Sequence, residues 1–468
     1  MRGRDYLIKE AAAYFKQKGF QRLLQQMTEK YRSLGRWAGS VKLEDLTTEE
    51  QEALSSFFRQ DYRRQGSAVI SLAAFARSLE QTRFAGLTCL ELLAYVNGEP
   101  LLTKQQVYTE QEKRRDEYFT RLARLYPGSS CQNWLAAIVQ RAETTRSVQL
   151  AYDKNPVQLE RQLKWVLEAL TELEDARTKM KERFERLPVF AQRITGNPHE
   201  FDLNAETGKL LINALTHWRS WDHQLTASQV AIRGSQGFSS TEAMSSTEGL
   251  TATEAVNELL YHYGLMRDDL WNFVTCTGLL ARDREGKDLP VWRAACQSGG
   301  TAVLNVPLRE MVKVLEVYPA DTQSEKIVYV VENPAVFSAL LDASDQEGRA
   351  YPPLVCTHGQ FKLAALLLMD KLATAGTKIY YSGDFDPEGL LMAESLFKRY
   401  PGSLTPWHYT VDAYLFSQPA TKISAQRLKK LEKVQSPQLL PIKNKILASG
   451  LAGYQEGIIP LLWGDINS

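Results

Sequence analysis

Two hydrophobic rhythms divide the chain. Between residues 5 and 125, apolar side chains recur every three or four positions: Leu23, Leu24, Met27 and Tyr31 in one stretch, Leu72, Phe75 and Leu79 in another. That spacing puts them on one face of a helix and predicts a helical region. Gly35, Gly39, Gly66 and the Asn97-Gly98 pair punctuate it. Pro127-Gly128-Ser129-Ser130 predicts a turn or boundary. A long helical pattern returns from Val157 to Leu187, with Leu159, Leu163, Val166, Leu167 and Leu170 on one side and charges crowding the rest. It predicts a helical hairpin or a partner-binding arm. The Ser/Gly/Thr-rich run over 234–252 predicts a hinge or a loop tip.

The second rhythm begins at Lys326. Short β-branched and aromatic runs predict strands over 326–331, 353–357 and 378–382. Helical patterns follow each of them, over 335–341, 361–375 and 390–399. Pro334 suits a first helical turn, and Gly376 suits the position past a helix end. Strand and helix in strict alternation predict a parallel sheet with right-handed crossovers. The fold class expected is therefore multidomain, α followed by α/β.

Composition narrows the classes. The 468 residues carry 56 Lys and Arg against 55 Asp and Glu, a net charge of +1, and 44% are hydrophobic. This excludes a disordered or fibrous chain and a wholly basic nucleic-acid coat. The length predicts two to four domains. Met1 to Tyr14 is not patterned as a signal peptide, and the longest apolar runs, such as Leu363 to Met369, are too short to span a bilayer. A cytoplasmic protein without membrane contact is expected. The five cysteines and six histidines are scattered, with no CxxC or HExxH, so any metal is expected to have oxygen ligands. The charge is unevenly spread. Residues 1–200 hold 32 basic against 26 acidic side chains, 201–350 hold 12 against 20, and 401–450 hold 7 against 2. Such asymmetry suggests polyanion contact at the two ends.

Three acids stand where chemistry sits in parallel sheets, just past the carboxyl ends of strands. Glu332 follows the first predicted strand, and Asp384 and Asp386 follow the third, 52 residues on from Glu332 to Asp384. Residues spaced i, i+2 in extended chain leave on the same face. Carboxylates so placed repel one another unless a cation joins them, and hard oxygen donors suit Mg²⁺ or Mn²⁺. Glu388 is either a further metal ligand or a helix N-terminal acid favoured by the helix dipole. Gly383 and Gly389 let the backbone bend closely there.

These residues resemble the toprim domain of topoisomerases, primases and OLD-type nucleases. Glu332 matches the family's strand-end glutamate, and Asp384 with Asp386 its DxD. ENPAVFSALL, VCTHGQFKLAALLLMDKL and YYSGDFDPEGLLMAESL are most similar to the topoisomerase VI A-subunit branch. Together with LPVFAQRITGNPHEFD and GLMRDDLWNFV, they resemble the JetD family of type II Wadjet systems, from about residue 155 onward. The resemblance implies an N-terminal helical domain over 1–154, a long helical arm over 155–186, a CAP-like winged-helix region over 187–299 and a toprim catalytic domain over 300–468. It also implies a homodimer that cuts double-stranded plasmid DNA, with Mg²⁺ or Mn²⁺ at Glu332, Asp384 and Asp386. The partners implied are an SMC-like ATPase, a kleisin and accessory subunits. No segment matches the branch's nucleophilic tyrosine motif, so hydrolysis by water is expected.

Further candidates stand nearby. His358 and Lys362, after the second strand, occupy the relatives' TGxG position and suit contact with a scissile phosphate. Glu456 resembles an acidic family position that completes a second metal site. Lys422, Arg427, Lys429 and Lys430 form a basic cluster, and Arg114 and Arg115 lie on a charged stretch from Lys104 to Arg124. Both suit a phosphate backbone or a solvated helix face. Two other functions compete. HAD-type phosphatases also place DxD after a strand, but they leave Glu332 without a task. A toprim scaffold would bind DNA without cutting it.

Overall fold

The computed structural model describes residues 2–179, 184–233, 252–297, 301–320 and 325–467. The Ser/Gly/Thr-rich hinge expected over 234–252 lies almost wholly outside the described residues. The chain divides into two compact units, Met1–Leu125 and Tyr126–Ser468.

The first unit contains α1 (Arg2–Phe15), α2 (Lys18–Leu34), β1 (Ser40–Glu44), α3 (Thr48–Phe58), β2 (Ser67–Ser71), α4 (Leu72–Glu80), α5 (Cys89–Asn97) and α6 (Lys104–Leu125). The predicted helix faces are its core: Leu23, Leu24, Met27, Leu72, Phe75 and Leu79 are all buried. Reading the region as helices alone misses β1 and β2, which pair antiparallel with Val41 opposite Ile70. Their five-residue alternations, buried at even places and exposed or half-buried at odd ones, are too short to stand out beside the helical pattern. Capping boxes at Thr47–Glu50 and Thr88–Glu91 start α3 and α5.

The second unit opens with helices α7 (Ser129–Val139), α8 (Arg146–Lys154), α9 (Pro156–Thr178), α10 (Leu187–Thr195), α11 (Glu206–Arg233) and α12 (Ala252–His262), with two-residue strands β3 (Glu185–Arg186) and β4 (Leu265–Met266) pairing in parallel. The division at 125/126 falls earlier than the boundary expected at 154/155. The reason is packing: α7 and α8 lie against α9, and α7 also lies against α11. Where an arm was expected over 155–186, α9 is a packed helix whose Leu159, Leu163, Val166, Leu167 and Leu170 are buried.

The rest of the unit contains β5 (Phe273–Thr277), β6 (Leu279–Asp283), α13 (Pro290–Gln297), β7 (Leu304–Pro307), α14 (Leu308–Met311) and β8 (Val314–Pro319). Then come β9 (Ile327–Val331), α15 (Pro334–Gln346), β10 (Leu354–Cys356), α16 (Leu363–Thr374), β11 (Lys378–Ser382), α17 (Pro387–Arg399) and β12 (Leu404–Pro406). The chain ends with α18 (Val411–Phe416), β13 (Thr421–Lys422), α19 (Ala425–Leu428), α20 (Leu440–Ser449), β14 (Leu451–Ala452) and α21 (Ile459–Ile466). A six-stranded sheet has the order β12-β11-β9-β10-β5-β7. β12, β11, β9 and β10 run parallel, while β5 is antiparallel to both its neighbours. The sheet is thus mixed, and β5 comes from within 187–299, the stretch expected to form a winged helix. Among the described residues, no helix is long and apolar enough to cross a membrane.

The interior of this sheet is apolar because both faces are covered. Val328, Val330, Leu354, Val355, Cys356 and Ile379 are fully buried. After β9 the chain passes through α15 to β10 on one side, and after β11 it passes through α17 to β12 on the other. Right-handed crossovers then put α15 on one face and α16 and α17 on the opposite face. The loops leaving β9 and β11 therefore diverge, opening a crevice between these two strand ends.

A buried charge cluster ties this frame to α12. Arg399, 7% exposed, donates to Glu258 Oε1 at 2.7 Å and to both Asp370 oxygens at 2.8 and 2.7 Å. Tyr400 Oη donates to Asp370 at 2.8 Å. Arg399→Ala leaves Glu258 buried without its cation, so urea unfolding is expected to show a loss of about 3–5 kcal/mol. A loss below about 1 kcal/mol, as for an exposed pair, contradicts this role.

Candidate functional site

Strand register brings the acids together. Ser382, the last residue of β11, pairs with Val331, the last of β9. Glu332 and the Gly383-Asp384 step therefore leave adjacent strand ends side by side. The Asp384 amide donates to Glu332 Oε2 at 3.4 Å. Gly383 is required here, since a Cβ would lie 2.6 Å from Glu332 Oε2 and 2.8 Å from Tyr409 Oη. A Cβ on Gly389 would lie 2.3 Å from the Asp384 carbonyl oxygen. The two glycines of GDFDPEG let the loop close over Glu332.

Both divergent helices start with the same device. Asn333 Oδ1 accepts from the Ala335 amide at 2.8 Å, ahead of Pro334 in the first turn of α15. Asp386 Oδ1 accepts from the Gly389 amide at 2.8 Å, ahead of Pro387 in α17. Each cap satisfies an orphan donor of the first turn, and each proline presets the helical φ.

A third segment comes from far along the chain. Phe385 and Gly453 exchange backbone hydrogen bonds at 3.0 and 3.2 Å, forming an isolated bridge. That bridge delivers the Gln455 amide to Asp384 Oδ1 at 2.9 Å. The Gln455 side-chain oxygen accepts from the Asn333 amide at 3.1 Å, and Asn333 Nδ2 donates to Glu456 Oε1 at 2.5 Å. Glu456 so lies beside the strand-end acids.

The electrostatics follow from this crowding. Burial first, then the nearby charges of Asp384, Asp386 and Glu456, push the Glu332 carboxyl up to about 7. Burial, with Asp386 and Glu456 adding to it, pushes Asp384 up to about 6, against the hydrogen bond from Gln455. Beneath them lie Tyr381 and Tyr409, stacked with centroids 6.1 Å apart. Burial raises both phenols well above their ordinary range, and the neighbouring acids add to it. They stay neutral at physiological pH, and Tyr409 Oη donates to the Asp384 carbonyl at 3.2 Å.

The other acids are engaged by cations. Asp386 Oδ2 takes the Arg427 guanidinium at 2.5 Å. Glu388 is gripped by Arg427 at 2.6 Å and by Lys430 at 2.8 Å. Against the upward push of burial, these hydrogen bonds hold Glu388 down at about 2. Among the described residues, no three His, Cys, Asp or Glu side chains converge as a ready ligand shell. The donor chemistry nonetheless fits a hard cation. Glu332 and Asp384 hold proton affinity that a divalent ion would displace. Tyr381 Oη, Ser382 Oγ and Gln455 Nε2 are buried beside them without hydrogen-bond partners among the described residues.

The remaining sequence candidates lie apart from the acids. His358, at φ 58°, sits in the turn after β10, whose Gly359 amide donates to the Glu332 carbonyl at 2.9 Å. Its ring turns towards β5, with Nε2 2.5 Å from Thr275 Oγ1, and burial, with Lys362 adding to it, lowers its pKa. Lys362 Nζ lies 4.0 Å over the Phe273 ring and donates to the Trp271 carbonyl at 3.4 Å. Lys422 and Lys429 are exposed. Arg114 and Arg115 lie in the first unit on α6, paired with Glu110 at 3.3 Å and Glu112 at 3.7 Å. Sequence reasoning missed Tyr381, Tyr409, Asn333 and Gln455 as parts of this centre. Asn333 had a legible signal, because Asn-Pro after a strand reads as a cap. Gln455 had none, being 71 residues from Asp384.

Comparison with known proteins adds architecture. A family model described as "Protein of unknown function N-terminus (DUF3323)" matches residues 37–281. A second, "Protein of unknown function C-terminus (DUF2399)", matches residues 304–466, which hold every acid of the centre. The chain thus has the N-terminal and C-terminal parts of one two-domain architecture. No curated protein matches it.

The raised carboxyls predict a pH signature for the metal-free protein. The folded state binds protons on Glu332 and Asp384 more tightly than their ordinary values of 4.5 and 3.8. This contribution is fully present below about 4 and is lost as pH rises through about 6 to 7. Wild type should therefore lose stability relative to Asp384→Asn between pH 5 and 8, by an amount on the order of 2 kcal/mol. Thermal melting of both proteins in EDTA checks this, and parallel pH profiles contradict it.

Proposed function

The chain belongs to the DUF3323 family, and on that premise we propose that it is a metal-dependent DNA endonuclease of the toprim type. The observation that carries this reading is the pair Glu332 and Asp384, held side by side at the crevice of the sheet with raised proton affinities. Two acids forced together this way have a task when a divalent cation joins them. Bound there, Mg²⁺ or Mn²⁺ would neutralise phosphate charge, lower the pKa of water and stabilise a leaving alkoxide. Glu332 and Asp384 would hold it, with Asp386 as the third carboxylate of the strand-end set and Glu456 beside it.

This chain's own groups supply the rest. The Gln455 amide orients Asp384 through Oδ1. Asn333 steadies Glu456, and its own amide is tied to Gln455. Tyr381 and Tyr409, as neutral phenols in the floor, are poor nucleophiles, which favours hydrolysis by water over a tyrosyl–DNA intermediate. Lys362 and His358 continue the same sheet edge beyond Glu332, where a phosphate backbone would run. The pairing of DUF3323 with DUF2399 is that of JetD-type proteins. It supports a homodimeric subunit of a Wadjet-type plasmid-defence complex, receiving double-stranded DNA from an SMC-like ATPase, kleisin and accessory subunits.

The test uses closed-circular plasmid with the partner complex in Mg²⁺ or Mn²⁺. Glu332→Ala and Asp384→Ala are each expected to cut at least about 100-fold more slowly than wild type while melting as folded proteins. Undiminished cleavage by both variants overturns the reading and leaves a DNA-binding scaffold.

A further inference from the structure

We propose that Arg427 is a latch on this centre: its guanidinium holds Asp386 in the free protein and releases it when a DNA phosphate takes the guanidinium instead. The proposal rests on the reading of Glu332, Asp384 and Asp386 as metal ligands.

The geometry is specific. Asp386 has both oxygens engaged, Oδ1 with the Gly389 amide at 2.8 Å and Oδ2 with Arg427 at 2.5 Å. While Oδ2 faces Arg427, Asp386 cannot turn that oxygen towards Glu332 and Asp384. This accounts for Asp386 not completing a three-residue ligand set with Glu332 and Asp384, among the described residues. The Arg427 side chain is 36% exposed, so part of its guanidinium is open to a phosphate arriving from solvent. The backbone beneath it is anchored. Ser424 caps the short helix α19, the Ile423 amide donates to Gly450, and Leu431 and Val434 are buried. Around it Lys422, Lys429 and Lys430 are exposed, giving a polyanion a place to settle.

Release does not strand a charge. Glu388 shares Arg427 with Asp386 but also holds Lys430 at 2.8 Å, so it keeps one cation when Arg427 turns away. Asp386 Oδ1 keeps its cap on α17, so the helix start survives the change. A guanidinium presents a planar fork that fits phosphate as well as carboxylate, and a DNA backbone offers phosphates at high local density. Metal binding and DNA binding are then coupled, each strengthening the other by the same factor.

Mn²⁺ binding to the full-length protein, measured by calorimetry with and without a short linear duplex, tests the latch. In wild type the duplex is expected to tighten Mn²⁺ binding about 5- to 50-fold. Arg427→Gln is expected to bind Mn²⁺ about 5-fold or more tighter without DNA, and to gain little further from the duplex. Its duplex affinity should also fall less steeply with salt, by about one unit of log–log slope. Arg427→Lys keeps the charge and should restore part of the salt slope. If Arg427→Gln binds Mn²⁺ no tighter than wild type and the duplex still strengthens that binding, the latch is overturned. Asp384→Asn separates the two levels. Loss of Mn²⁺ binding in that variant upholds the metal reading, whereas unchanged binding overturns the metal reading and the latch together.

Discussion

Two carboxyl groups that repel each other are held side by side at the ends of β9 and β11, and much of the second unit serves to keep them there. Parallel pairing sets Ser382 opposite Val331, so the residues that follow cannot drift apart. Gly383 leaves no side chain between Glu332 and the Tyr409 hydroxyl. The phenols packed below and the Phe385–Gly453 bridge leave the pair only partly exposed to water, so burial raises both carboxyls. Low dielectric magnifies repulsion as much as attraction, so the arrangement stores free energy that only a proton or a cation can release. A folded frame that tolerates this must be secured elsewhere, and the Arg399 cluster joining α12, α16 and α17 is one such fixture.

The polar groups around the centre are used twice. Asn333 caps α15 and orients Glu456, while Asp386 caps α17 and faces Arg427. Gln455 offers its amide to Asp384 and its side-chain oxygen to Asn333. Such sharing links helix starts to site geometry, so the orientation of each acid is fixed by elements whose main task is structural. It also explains why Glu388, in the first turn of α17, is held by cations while, among the described residues, Glu332 and Asp384 are not: Arg427 and Lys430 reach the helix start but not the crevice.

Legibility differs from residue to residue. The strand Lys378 to Ser382 is legible with both its ends in place, because five β-branched, aromatic and flanking residues between turn signals leave little choice. The acids at 332, 384 and 386 are legible from their place after strands. Glu456 is marked by resemblance alone, and the fold does set it beside Glu332. β1 and β2 are not legible, since five-residue alternations sit between stronger helical signals. β5 escapes notice as a member of the sheet, because it joins antiparallel from a segment with no βαβ pattern of its own. The helix α9 reads as an arm because its charged face is conspicuous, while its burial depends on α7, α8, α10 and α11, which no local pattern reveals.

The amino-acid sequence by itself determined the alternation of strand and helix after residue 326, the acids at the strand ends and the Asx-Pro caps that start the helices behind them. These are local properties, set by side-chain period, backbone preference and hydrogen bonding within three or four residues. Only the tertiary structure decided which acids meet a cation and which, among the described residues, do not. Glu332 and Asp384 become a pair because β9 and β11 are neighbours although β10 lies between them in the chain. Asp386 and Glu388 meet Arg427 because the chain returns after some 40 residues to lay α19 against the start of α17. Charge–charge energies depend on distance and burial, and neither is written in the order of residues until the chain has folded.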